Sequence, residues 1–306
     1  MNLPRLIIPL VVIASASLLA FPQSVNNAQL GRMVVLHVRV TDPADNAVRD
    51  VPRDAFQVSE DGVPQKIELF MNEEIPLIYG LAIDCSGSLR SQFEAVVQAT
   101  KNIVQANTTS DETFLVRFIS SNKIETLQEF TTDKRLLQTG LDSLYIEGGQ
   151  TAVIDAVYLS ADHLARRKTP TDQLRRKVLV LVTDGDDRNS YYKKEQLFKL
   201  LAATDTQIFT IAFTKELKTG KQRENAVNLL TQLASETGGR TFFPNSTADL
   251  ARISTDIIND IRTQYVIGYV PAADAKNSFH KTVVSITQEA DMDKRVAITR
   301  VGYTPR

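Results

Sequence analysis

Between residues 77 and 262 the sequence repeats one rhythm: a near-continuous apolar run, a loop, then a segment whose apolar residues recur at helical spacing. The runs are residues 77–83, 113–119, 178–182 and 207–213, and they lack the polar alternation of a strand with one wet face. Parallel strands covered on both faces read this way. Among the intervening segments, Phe93, Val96, Val97, Thr100, Ile103 and Val104 share one helical face. Ala226, Leu229, Leu230, Leu233 and Ala234 form another, and Leu250, Ile253, Ile257 and Ile261 a third. The third follows Ser246-Thr247-Ala248-Asp249, an N-cap with an acidic residue in the first turn. Alternation of strand and helix predicts an α/β fold, a doubly wound and mostly parallel sheet with right-handed crossovers.

The flanks read differently. Residues 34–40 are β-branched and partly alternating, Asp42-Pro43 breaks them, and residues 55–58 lead into Glu60-Asp61-Gly62, a hairpin signal before a strand over 65–70. After residue 262, segments 265–270, 282–286 and 295–300 are again strand-like. Neither flank alone has enough strands to bury a core, so the two are expected to pair into one small β-sandwich that carries the α/β domain as an insert. The expected division is a signal peptide over 1–24, the first half of the sandwich over 30–74, the α/β domain over 75–262 and the second half over 263–306.

The signal peptide is read from Arg5, the apolar run 6–19 and the small and turn-forming residues Ala20, Phe21 and Pro22. Fourteen residues containing Pro9 fall short of the roughly 20 that span a bilayer, and no later segment is long and apolar enough. Export to a periplasmic or extracellular space is expected; left uncleaved, the segment would act as an anchor. The single Cys85 allows no intrachain disulfide or cysteine-cluster zinc site and is expected to be buried, and three scattered His argue against a His-rich metal site. With 35 Lys and Arg against 36 Asp and Glu, the charge balance argues against capture of nucleic acid.

Three loops at the carboxyl ends of the predicted strands carry oxygen-bearing side chains, where open α/β sheets bind ligands. The first is Asp84-Cys85-Ser86-Gly87-Ser88. The second is Gly148-Gly149-Gln150-Thr151, and the third Thr183-Asp184-Gly185-Asp186-Asp187. Carboxylates and hydroxyls without a thiolate or imidazole among the donors suit a hard divalent cation such as Mg²⁺. Taken singly, each loop is equally an ordinary turn or helix cap; their joint occurrence, in this order, points to a metal site.

These residues resemble the von Willebrand factor type A domain, whose metal-ion-dependent adhesion site combines Asp-x-Ser-x-Ser with a Thr and an Asp from two further loops. The resemblance covers about residues 75–262 and implies a Rossmann-like domain. Ser86, Ser88 and Thr151 would touch the metal, with Asp84 and Asp184 acting directly or through water. The ion would be Mg²⁺, or alternatively Mn²⁺ or Ca²⁺, and a carboxylate from a protein partner would complete its shell. The flanks, with Glu60-Asp61-Gly62, Tyr265-Val266-Ile267-Gly268-Tyr269 and Val301-Gly302-Tyr303, are similar to an exported bacterial group of such proteins.

Neighbouring residues carry paired readings. Asp155 could orient the metal ligands or serve as a first-turn helix acid, and Tyr191-Tyr192 could anchor a partner or pack beneath the third loop. Asp186 and Asp187 are expected to be solvated, with support of the metal ligands or a further ion as the alternative; the basic runs 166–168 and 175–177 are expected to be a solvated face, with polyanion binding as the alternative, and His163 is expected to be structural. Asn107-Thr108-Thr109 and Asn245-Ser246-Thr247 have the form of glycosylation acceptors. Catalysis finds little support: Ser86 stands where an aspartyl phosphatase would place its second carboxylate, and there is neither a Gly-x-Ser-x-Gly elbow nor a P-loop. The expected function is a non-enzymatic binding or adhesion module. The alternatives are a metal-dependent hydrolase or phosphotransfer enzyme, and a structural subunit with a non-signalling metal site.

Overall fold

The computed structural model describes residues 32–168, 173–271, 278–287 and 294–305; the expected signal peptide lies outside them. Four strands open the described chain: β1 (Val34–Thr41), β2 (Phe56–Glu60), β3 (Val63–Gln65) and β4 (Leu69–Met71). The alternating region begins with β5 (Leu77–Asp84), α1 (Phe93–Gln105), β6 (Glu112–Ser120), β7 (Lys123–Thr131), α2 (Lys134–Asp142) and α3 (Val153–Arg166). It continues with β8 (Arg176–Thr183), α4 (Lys194–Ala203), β9 (Thr206–Ala212), α5 (Gly220–Thr237), β10 (Arg240–Phe242) and α6 (Leu250–Arg262). Strands β11 (Tyr265–Tyr269), β12 (His280–Ile286), β13 (Val296–Ile298) and β14 (Gly302–Tyr303) follow.

The central sheet has the order β10-β9-β8-β5-β6-β7, parallel throughout except for the antiparallel edge strand β7. Every residue of β5 is buried. Its alternate side chains Leu77, Tyr79, Leu81 and Ile83 meet α1 and α6, while Ile78 and Ala82 meet α3 and α5, as the period of two in a strand requires. Gly80 is fixed by packing, because a Cβ there would lie 2.3 Å from the Phe114 ring. The chain leaves β5 toward β6 on one side and later returns to β8 on the other, so the carboxyl ends of β5 and β8 form the topological switch point.

The chain ends do pair. Sheet β13-β1-β11-β4 and sheet β14-β12-β2-β3 face one another over a shared core that includes Leu36, Val38, Phe56, Val58, Ile267 and Val284. One expectation needs correction: residues 65–70 are not a single strand. Asp61 and Gly62, with φ of 50° and 82°, turn β2 into β3 as expected of a tight hairpin. The chain then changes sheets, because Phe70 packs on Phe56 and Tyr265 in the sandwich core while Leu69 joins Ile75 and Val266 toward the inserted domain.

The sandwich meets the inserted domain at the amino-terminal edge of the parallel strands. Asp111, fully buried, accepts hydrogen bonds from the Leu77 amide at 2.8 Å, the Thr108 amide at 2.6 Å and Arg262 Nη2 at 2.6 Å. It thereby joins the first residue of β5 to the last of α6. The run 175–177 departs from its expected solvation: Arg176 is wholly buried and donates to the carbonyls of Ile261 and Gln264 at the end of α6, where a cation complements the helix dipole. Arg175 and Arg167 both pair with Glu112.

His37 of β1 is buried with Nε2 3.5 Å from Asp205, which Arg300 also approaches at 3.5 Å. Burial holds the imidazole below its ordinary pKa against the opposing pull of Asp205. The unfolded chain therefore takes up this proton more readily than the folded one, and stability should fall as pH drops below about 6.5. Urea unfolding at pH 7.5 and 5.5 checks this: the wild-type midpoint should fall more on acidification than that of His37→Gln. Parallel decreases would remove His37 as the cause.

Candidate metal centre

Asp84 closes β5, and its carboxylate is fully buried. Oδ1 accepts from the Ser86 amide at 2.9 Å and Oδ2 from the Thr183 hydroxyl at 2.7 Å. Ser86 is buried, with Oγ 2.9 Å from Oγ of the exposed Ser88. Cys85 packs into the core as expected, and burial followed by the charge of Asp84 pushes its thiol up to about 12, a protonated and unreactive group.

The third loop leaves β8 beside the first. Thr183 Oγ1 accepts from the Gly185 amide at 3.0 Å, and buried Asp184 accepts from the Asp186 amide at 3.0 Å. Gly185 has φ of 79°, and a Cβ there would come within 2.7 Å of Leu230, so both backbone and packing require glycine. The second loop is tied to both others. The Glu147 amide donates to the Cys85 carbonyl at 2.9 Å, and the Arg188 amide to the Thr151 carbonyl at 2.9 Å. Asp187 accepts from the Ile154 amide at 3.0 Å, capping α3 from the third loop. Thr151, at the entrance to α3, is 5% exposed.

Several neighbours take more definite roles than the sequence allowed. Asp155 accepts from the amides of Tyr191 and Tyr192, both at 2.8 Å, and from the Ser121 hydroxyl at 2.5 Å. These bonds run to the segment after the third loop and to the β6–β7 turn, and among the described residues the Asp155 carboxylate has no hydrogen bond to the five predicted ligands. Asp186 and Asp187 depart from their expected solvation: Asp186 is buried against Arg188 at 2.7 Å, and Asp187 is occupied by the α3 cap. The tyrosine pair divides: Tyr192 stacks on Tyr158 with centroids 3.8 Å apart, whereas Tyr191 is 77% exposed. His163 on α3 stacks on Phe130 and meets Phe114 edge-on, and His37 and His280 lie in the sandwich.

Burial, and then the charge of Asp184, pushes the Asp84 carboxyl up to about 7, with the bonds from Thr183 and Ser86 pulling the other way. The hydrogen bonds to both carboxylates come from neutral donors, and among the described residues neither carboxylate has an ion pair. Two acids packed together without a counter-charge, beside hydroxyl oxygens, fit a hard divalent cation, which would relieve their repulsion and satisfy oxygen lone pairs.

A doubly wound sheet with oxygen donors gathered at its switch point defines a class of ligand-binding α/β domains. The von Willebrand factor type A domain model matches residues 80–256, more than half of the chain, and the chain belongs to this family. No curated protein matches the sequence. Similar solved structures include the conserved hypothetical protein BatB from Bacteroides thetaiotaomicron, 15% identical over 60% of this chain and 98% of that one, with a TM-score of 0.46. Proximal thread matrix protein 1 of the mussel byssus is 17% identical over 61% of this chain and 48% of that chain, at a TM-score of 0.49. A von Willebrand factor type A protein from Catenulispora acidiphila is 12% identical over 89% of this chain and 74% of that chain, at a TM-score of 0.44. Among the described residues no helix is long and apolar enough to cross a membrane.

Proposed function

We propose that Asp84, Ser86, Ser88, Thr151 and Asp184 hold one divalent cation, Mg²⁺ in the first instance, and that the protein binds an acidic group of a protein partner through it. The observation that carries this reading is the pair of buried carboxylates, Asp84 and Asp184, which lack a counter-charge among the described residues and lie beside the Ser86 and Ser88 hydroxyls at the sheet's switch point. Thr151 belongs to the set through its loop, which is bonded to both others. The cation would supply a positive charge with an open coordination position, and the protein's part is to orient the oxygens and hold the loops still.

The binding unit in this reading is residues 75–262, carried on a sandwich built from 30–74 and 263–306, with residues 1–24 directing export. We read the module as non-enzymatic. The three imidazoles are committed elsewhere and the Cys85 thiol is buried, which leaves the metal loops without a nucleophile–base pair of the usual kind.

Calorimetric titration of the metal-stripped protein with Mg²⁺ tests the site. One saturable event is expected, weakened at least tenfold in Thr151→Ala, the order of loss seen when metal-site partners are removed (about 10–100-fold). Unchanged affinity in that variant would remove Thr151 from the site, and no binding to wild type at all would favour a structural role for the loops.

A further inference from the structure

We propose a second cation site, independent of the first: Glu60, Asp61 and His280 bind Zn²⁺ and clamp the two chain ends of the sandwich together. Neither the Glu60-Asp61-Gly62 turn nor His280 belongs to the first site. The fold brings His280, the first residue of β12, beside the turn that ends β2, across 219 positions of sequence. One ligand atom from each of the three side chains lies within 4.8 Å of the others. His280 Nδ1 is 2.8 Å from Asp61 Oδ2 and 3.7 Å from Glu60 Oε1.

The remaining polar atoms of the three are held by neighbours outside the group. Glu60 Oε2 accepts from the hydroxyls of Tyr269 at 2.5 Å and Tyr303 at 3.0 Å. Asp61 Oδ1 accepts from the Lys281 amide at 2.8 Å, and His280 Nε2 lies 3.1 Å from the Ser278 hydroxyl. Outer contacts of this kind orient metal ligands and fix the ring nitrogen that faces the ion. They leave Glu60 Oε1, Asp61 Oδ2 and His280 Nδ1 facing one another. Glu60 Oε1 provides a separate observation. Its side chain is 8% exposed and held through Oε2 by the two tyrosines, while Oε1, with no hydrogen bond among the described residues, lies 3.7 Å from His280 Nδ1.

Donor chemistry selects the ion. One imidazole nitrogen with two carboxylate oxygens suits zinc at about 2.0–2.2 Å, with a fourth position left for water, whereas Mg²⁺ and Ca²⁺ prefer six or more oxygens. Asp61 is half exposed in a turn, so its carboxylate has room to adjust toward tetrahedral spacing. The Lys281 amide and His280 hold its carboxyl below the usual range, so it offers an anion. Binding releases to solvent the proton shared between His280 Nδ1 and Asp61, so zinc affinity should weaken on acidification.

The test uses the full chain carrying Asp84→Asn, which silences the first site and keeps the two proposals separate. Metal-stripped protein should take up one equivalent of Zn²⁺ and melt at a higher temperature. His280→Gln in the same background should lose that equivalent and the shift in melting temperature. Should this variant fail to fold, the wild type still decides the matter, since the chain has only three histidines. In ¹⁵N NMR, Zn²⁺ should perturb the His280 imidazole and leave His37 and His163 unchanged. Unaltered zinc stoichiometry in His280→Gln, no imidazole shift on zinc addition, or a shift confined to His163 would each overturn the proposal.

Discussion

Asp84→Asn is expected to abolish Mg²⁺ binding and, in the metal-stripped protein, to raise stability. The amide oxygen can keep the bond from the Ser86 amide, and Thr183 Oγ1 can turn to accept, so the loop loses charge but not shape. Ionised Asp84 is costly because it is buried and faces Asp184, and its carboxyl sits at about 7. At about 1.4 kcal/mol per pH unit, this marks a penalty of a few kcal/mol at neutral pH, of which about 2 kcal/mol should be recovered by Asn. The folded state binds this proton more tightly than the unfolded chain, so the penalty grows from about pH 4 and is complete above about pH 7. The advantage of Asn should accordingly vanish in acid. Saturating Mg²⁺ should reverse the order, since a ligand at a hundred times its Kd stabilises by about 2.7 kcal/mol and only wild type can use it. Urea unfolding with and without Mg²⁺ reads both effects; a variant that keeps its Mg²⁺ response, or is less stable without metal, contradicts the assignment.

Asp111→Ala should cost about 3–4 kcal/mol of folding stability. The side chain, itself fully buried, accepts from the buried Leu77 amide and, in part-buried bonds, from the Thr108 amide and Arg262. Alanine leaves the Leu77 amide without its acceptor at about 1–3 kcal/mol, and weakens the anchoring of a guanidinium whose other partners are Glu74 and the Ala106 carbonyl. Removing one partner of a buried pair costs about 3–5 kcal/mol; the Glu74 contact moderates that figure. Because Asp111 lies at the opposite end of β5 from Asp84, Mg²⁺ affinity in the surviving folded fraction should be unchanged. Chemical denaturation and calorimetry on the same sample check the two statements.

The parallel core was legible because β5, β6, β8 and β9 are buried on both faces, a condition that leaves the runs mostly apolar, with Thr113, Arg117, Gln207 and Thr210 as buried exceptions. Strand β7 was not anticipated: as an edge with no fully buried residue, it carries no apolar run. Helices α2 and α4 bury only Leu137 and Leu141, and Leu197 and Leu201, a single repeat each and too few for a periodic signal. The break within 65–70 depends on which sheet Phe70 reaches, a tertiary choice that local alternation does not encode. At the candidate site, the five proposed donors were readable as candidates because each loop follows a strand or precedes a helix. The work of Asp155, Asp186 and Asp187 could not, since it consists of bonds to backbone amides and an arginine whose positions only the folded loops define. Arg176 was misread for a related reason: in a basic run it resembles its solvated neighbours, and only the arrival of the α6 carbonyls gives a buried guanidinium its partners.

The inserted domain is joined to the sandwich by two covalent connections that lie side by side, with Asp111 bridging Leu77 and Arg262 at their exits. The candidate metal loops stand at the far end of β5, eight residues and about 25 Å away. Tension between a tethered sandwich and a partner gripping those loops would run along β5, in the middle of the sheet. The ladders to β6 and β8 flank that strand and would be sheared together, their hydrogen bonds sharing the force instead of opening one by one. The proposed binding loops would then stand at one pole of the domain, with both of its attachments at the other.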